Sequence, residues 1–206
     1  LDGNLVINGV EEVVLGASVA LDTEQGNDGP GGSVIFGLAS GGTQLSASVA
    51  GADLRIDTST AAALQNGGAV NIPAFFNDGG TFANDLSINT SSGAGGTAGL
   101  VTLSGDISLT NNGASDAASM QIIGNGRILL PVSRNIDTQA GNPAGVTDVG
   151  GVNLGASVIS ANASGNSLTI NTANSGAGSA GGNVVLGTLN NSSGFFPFAF
   201  SVNAAG

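Results

Sequence analysis

The stretch SLTINTANSGAGSAGGNVVLG occupies residues 167–187, and DLSINTSSGAGGTAGLVTLSG occupies residues 85–105. Each holds two short alternating apolar runs joined by a slack segment of Gly, Ser and Ala. Alternation bounded by Gly, Asn and Ser is the pattern of a half-buried strand. In LTINT it puts Leu168, Ile170 and Thr172 on one face and Thr169 and Asn171 on the other.

Working outward, the same two motifs recur along the chain. The first is apolar-x-apolar-Asx-Thr: VALDT (19–23), LRIDT (54–58), LSINT (86–90), RNIDT (134–138) and LTINT (168–172), with LVING (5–9) and LTNNG (109–113) as degenerate copies. The second opens on Gly: GGSVIFG (31–37), GGAVNIP (67–73), AGLVTLSG (98–105), GGVNLG (150–155) and GGNVVLG (181–187), with SMQIIGNG (119–126) where another copy belongs. A third, less regular strand follows some copies, as in TQLSASVAG (43–51), GRILLPVS (126–133) and ASVISANAS (156–164). The unit returns at roughly 23 to 36 residues, which suits a coil with loops of free length. No amphipathic helix is apparent; STAAALQNGG (59–68) is too short and ends in Gly-Gly.

The expected fold is therefore all-β, a parallel β-helix (β-solenoid) of about six or seven irregular coils in a single domain over residues 1–206. Stacking places equivalent residues in columns. Leu168, Ile170, Val184 and Leu186 should point inward, as should Val34, Phe36, Val70, Ile72, Val101, Leu103, Val152 and Leu154. Arg55 takes an outward slot. The Asx residues should form one column at a corner, and Gly-Gly should permit the next corner. At roughly 4.8 Å per coil the rod would be on the order of 30 Å long.

Composition sets the boundaries for function. The 206 residues include 36 Gly and no Cys, His, Trp or Tyr, and 41% are hydrophobic, enough to form a core. Lys+Arg total 3 (Arg55, Arg127 and Arg134) and the net charge is −11. Phosphate binding needs basic clusters, so nucleic acid is not an expected partner, and an anionic membrane surface is disfavoured too. No run approaches the roughly 18 apolar residues of a membrane span. The chain opens LDGNLVINGV, without Met or a basic leader, and closes FAFSVNAAG. Both ends look cut from a longer pattern, so a mature product or a segment of a larger protein is expected.

Serial L-x-I-[DN]-T … GG-x-V-x-L-G units in a Lys-poor, Gly/Asn/Ser-rich chain resemble the passenger repeats of large bacterial exoproteins. These are the filamentous-haemagglutinin-like adhesins and the autotransporter-type β-strand-repeat proteins. The likeness covers nearly the whole chain. The resemblance implies a right-handed parallel β-helix, secreted or on the bacterial cell surface, used for adhesion or as a stalk or filament.

The candidate sites weigh against catalysis. The Asx positions Asp22, Asp57, Asn89, Asp137 and Asn171 exchange acid for amide freely, which a turn former tolerates and a general acid or base does not. Asp22, Glu24 and Asp28 in DTEQGNDGPGG (22–32) offer oxygen ligands for Ca²⁺ but lack a regular D-x-D-x-D-G pattern. The Ser and Thr residues have no His, Cys or Lys to activate them. Thr23, Thr58, Thr90, Thr138 and Thr172 would need to face outward in a flat ladder to bind ice, and alternation turns them inward or into the corner. GFFPFAFSV (194–202) and PAFFNDGGTF (73–82) hold seven of the eight Phe, as core filling or as a sticky patch.

No catalytic, cofactor-binding or metal-binding residue is therefore expected, no cofactor, and no enzyme. The leading expectation is a structural shaft whose partner is itself or flanking repeats, end to end. An adhesin module for a glycan or surface receptor comes second, and a polysaccharide-active enzyme using Asp22 or Asp57 is a remote third.

Overall fold

The computed structural model describes residues 3–37, 43–76, 85–110, 117–140, 150–173, 181–190 and 199–204. The chain climbs in coils of three short strands. The first coil is β1 (Leu5–Ile7), β2 (Glu12–Leu15) and β3 (Val19–Asp22); the second is β4 (Val34–Phe36), β5 (Gln44–Ala47) and β6 (Leu54–Asp57). The third is β7 (Val70–Ile72), β8 (Ala74–Phe75) and β9 (Leu86–Asn89); the fourth is β10 (Val101–Leu103), β11 (Ile107–Ser108) and β12 (Met120–Ile123). The fifth is β13 (Arg127–Leu130), β14 (Arg134–Asp137) and β15 (Val152–Asn153); the sixth is β16 (Val158–Ala161), β17 (Ser167–Asn171) and β18 (Val184–Val185). Strands β19 (Thr188–Leu189) and β20 (Ala199–Asn203) begin a seventh.

Every third strand pairs in parallel, giving three walls. The first runs β1-β4-β7-β10-β13-β16-β19, the second β2-β5-β8-β11-β14-β17-β20 and the third β3-β6-β9-β12-β15-β18. The expected all-β solenoid of six or seven coils is what forms, with no helix among the described residues. The third strand, expected in only some copies, is present in every complete coil. Coil length varies because the corners absorb it: Val101 pairs with Ile128, 27 residues on, and Val34 with Val70, 36 residues on.

Alternation works as the sequence implies. In the second wall Leu45, Phe75, Ile107, Ile136 and Ile170 stack in one fully buried inward column. Val34, Phe36, Val70, Ile72, Val101, Leu103, Val152 and Leu154 are buried as expected, while Val184 and Leu186 pack against the core only in part.

One expectation is overturned. The Asx residues do not form a single column. Asp22, Asp57 and Asn89 align in the third wall, whereas Asp137, Asn171 and Asn203 align in the second. LSINT and LTINT thus lie in different walls, and so do the glycine-led strands that follow them. Ser167–Gly187 spans two walls of a coil, not a whole one. The shift falls in the fourth coil. There Ile123 takes the slot above Asn89, and Gly124 (φ 120°) opens a tight corner into β13. At the degenerate copy LTNNG the register is off: Ser108, just before it, pairs with Asp137, and the Leu109 N–H bonds the Asp137 carbonyl as the Thr138 N–H bonds that of Asn171. The physical reason is that a strand–Asx–Thr–loop–Gly corner closes on itself. It needs a strand that ends, and either wall supplies one.

Candidate functional site

The Asx–Thr–Gly corner is the most repeated chemistry in the molecule. In all five copies the Asx Oδ1 accepts the backbone N–H two residues on: Asp22 from Glu24 (3.1 Å), Asp57 from Ser59 (3.1 Å), Asn89 from Ser91 (3.2 Å), Asp137 from Gln139 (2.8 Å) and Asn171 from Ala173 (3.3 Å). This is the Asx turn, which acid and amide make equally well. Asn side chains also bond along their columns: Asn203 Nδ2 donates to Asn171 Oδ1 (3.1 Å), and Asn89 Nδ2 reaches Asp57 Oδ2 (3.4 Å) as well as the neighbouring Ser59 Oγ (3.0 Å).

The following threonine turns inward and closes the loop. Thr23, Thr58, Thr90, Thr138 and Thr172 are all buried. Thr58 Oγ1 donates to the Gly68 carbonyl at 2.7 Å, and the Gly68 N–H returns a bond to the Thr58 carbonyl at 2.8 Å. Thr172 and Gly182 make the same reciprocal clasp at 2.8 and 2.9 Å. Thr23 donates to Gly32 (2.7 Å) and Thr138 to Gly150 (3.1 Å). A buried Thr so committed presents no ladder to ice.

Electrostatics centre on Asp57. Burial pushes its carboxyl up, but the Ser59 hydroxyl and N–H, the Arg55 guanidinium and the Asn89 amide together hold it below its ordinary value. Ser59 Oγ lies at 2.5 Å and Arg55 Nη2 at 3.2 Å. Arg55 is 65% exposed, as its outward slot requires. Arg134 bends over the backbone, donating to the carbonyls of Leu103, Ser104 and Ser133, and burial lowers its pKa from the ordinary value.

The loop considered for calcium is organised from within. The buried Glu24 carboxylate accepts the N–H groups of Asp28 (2.9 Å) and Gly29 (3.3 Å), while Asp22 serves its own Asx turn. Among the described residues no three His, Cys, Asp or Glu side chains are grouped to hold a metal. Phe75 is core, Phe76 half-buried, and Phe200 packs partly on the core; Phe82, Phe195, Phe196 and Phe198 lie outside the described residues.

Two features have weaker sequence signals. Before the third-wall strands, Ser18, Asp53 and Asp85 accept the N–H of the residue one coil on: Asp53 (3.1 Å), Asp85 (3.3 Å) and Ser119 (2.7 Å). A Ser or Asp directly before an apolar run is the only hint. The loops 59–67 and 91–98 stack on each other through Leu64 N–H to Ala94 O (2.8 Å) and Gly67 N–H to Thr97 O (3.0 Å). Together they form a fin, on whose rim Leu64 is 76% exposed at φ 63°.

The ends differ from the middle. Leu5, Ile7, Val13, Val19 and Leu21 in the first coil point into the core column yet stay half-exposed. In the last strands Leu189 and Val202 hold core-column positions but are exposed. A cleft of about 440 Å³ opens between β1 and β3, lined by Leu5, Leu21, Asn4 and Asp22 among others. No helix among the described residues is long and apolar enough to cross a membrane. The chain matches no known protein family, no curated protein and no solved structure.

Proposed function

We propose that the protein is a structural shaft, a β-solenoid that stacks end to end in a filament, stalk or adhesin rod outside the cell. The observation that carries this reading is the regular stack itself: the same apolar columns repeat coil after coil, with acid side chains of the corners engaged in turns. Apolar core columns run through six coils and emerge at both edges, where β1, β2 and β3, and β18, β19 and β20, each have one paired neighbour among the described residues. Such an edge is a template for another strand, from flanking repeats of the same protein or from a second copy. The extracellular placement follows from the resemblance to filamentous-haemagglutinin-like exoproteins. The reading assigns no catalysis: the corner carboxylates are spent on turns, and Asp22→Ala or Asp57→Ala should alter stability and no hydrolytic rate.

Electron microscopy and sedimentation of the native material test it. Filaments or long rods with an axial repeat on the order of 30 Å are expected. Isolated short monomers at high concentration, with protected end strands, would sink the idea. A second reading, a binding module, draws on Leu64, a large apolar side chain held exposed in a backbone conformation such residues rarely adopt. Binding to a glycan or cell surface that Leu64→Ser abolishes would favour it.

A further inference from the structure

We infer that the corner Asn125–Gly126 is a self-modifying site. In the folded protein Asn125 loses its amide, becomes isoaspartate and loosens the fourth coil from the fifth.

The chemistry belongs to the residue pair. In an Asn–Gly step the glycine backbone nitrogen gives its proton to solvent base and attacks the asparagine Cγ. The N–Cγ bond forms, the Cγ–Nδ2 bond breaks and ammonia leaves. Water then opens the cyclic imide at either carbonyl, giving an aspartyl or an isoaspartyl residue. Glycine is the most permissive follower, since it has no Cβ to obstruct the approach. The step needs a free side-chain amide and a free glycine N–H; a hydrogen bond to either has to be broken first.

The chain has four such pairs, at Asn8, Asn66, Asn112 and Asn125, of which Asn112 lies outside the described residues. Asn66 and Asn125 are both exposed, yet the fold treats them differently. Asn66 is tied into the stacked loops. Its Oδ1 accepts the Thr97 N–H (2.8 Å), its carbonyl accepts the Gly31 N–H (2.9 Å), and the Gly67 N–H donates to the Thr97 carbonyl (3.0 Å). Asn125 sits in a corner with no loop to stack on: residues 124–126 join β12 to β13, where the coil below uses residues 90–100. Among the described residues neither the Asn125 side chain nor the Gly126 N–H makes a hydrogen bond.

This corner is also where an added atom matters. Isoaspartate runs the main chain through Cβ and Cγ, one carbon longer than before. Gly126 has no room toward the coil below, because even a Cβ there would lie 2.5 Å from the Gly99 carbonyl oxygen. On the other side Ser157 Oγ holds the Gly124 carbonyl (3.1 Å) and the Val158 N–H holds that of Gly126 (2.9 Å). The extra carbon is therefore taken up in that seam with the fifth coil. Asn8 is exposed and unbonded as well and should also convert, but its corner spans residues 8–11, and Gly9 has open space around it.

The full chain, held at mildly alkaline pH and sampled over time, tests this by digestion and mass spectrometry with fragmentation that separates isoaspartate from aspartate. In the folded chain Asn125 should convert several-fold faster than Asn66, and in urea the two should keep pace. Equal rates in the folded chain, or an intact Asn125 while the unfolded chain converts, would overturn the site. Aged wild-type protein should show a lower urea midpoint and aged Asn125→Ala clearly less loss. Asn125→Asp, which has the charge without the extra carbon, should match fresh protein. If aged Asn125→Ala loses as much as wild type, or Asn125→Asp is already weakened when fresh, the loosening of the seam by the added carbon is overturned.

Discussion

Thr58 and Asp57 divide one corner between them. The threonine hydroxyl spans the neck of a loop to reach Gly68, and no water competes for it there. Thr58→Val keeps the shape and removes the donor, leaving a buried carbonyl short of a partner. It should lower stability by about 1–3 kcal/mol, read as a fall in urea midpoint with unchanged slope, and Thr58→Ser should recover part of it. Asp57 predicts a pH effect. Its carboxyl is held below the ordinary 3.8 in the folded state, so it contributes stability above that pH. The contribution is lost as pH falls from there through the folded value, because the unfolded chain then binds the proton more readily. Asp57→Asn should flatten the acid limb of stability against pH. An unchanged acid limb would mean that the Ser59 and Arg55 contacts do not favour the carboxylate.

At the scale of the element, the glycine-led strands show what is legible in a motif and what is not. Gly-Gly reads naturally as flexibility for a corner. The structure assigns the glycine two residues before the strand a different task, close approach to the coil below, at ordinary backbone angles. Gly68→Ala and Gly99→Ala should therefore each cost about 1–3 kcal/mol or more, because a methyl would meet a carbonyl oxygen that cannot move alone. Gly16 has open space at its would-be Cβ, so Gly16→Ala should be neutral or slightly stabilising. Equal losses at all three sites in thermal melts would refute the stacking explanation.

Across the whole molecule, each coil touches only its neighbours, so stability is close to a sum of coil-to-coil contacts. Ile88, with a coil on either side, is fully buried, whereas Leu21 at the end is half-exposed. Ile88→Ala should cost about 2–5 kcal/mol, and Leu21→Ala clearly less. Amide exchange should be slowest in β7 to β14 and quicken toward both ends at low concentration. If the chains stack, raising the concentration should slow exchange at the ends first. Uniform protection at all concentrations would argue that the ends are closed by other means.

Sequence alone determined that the protein is a solenoid and which side chains face its core. Alternation has a period of two residues, and that information is complete within each short run: Leu168 and Ile170 could only share a face. It also identified the Asx residues as turn formers, since Asp and Asn trade places among the copies. Which wall each copy enters was decided only by the tertiary structure. Three walls of similar short strands present the same local pattern, and loops of unequal length erase the count between them. The split of the Asx column, the glycine ladder and the Glu24-centred loop all depend on what lies one coil above or below. That neighbour is about thirty residues away in the chain, at a distance no local motif records.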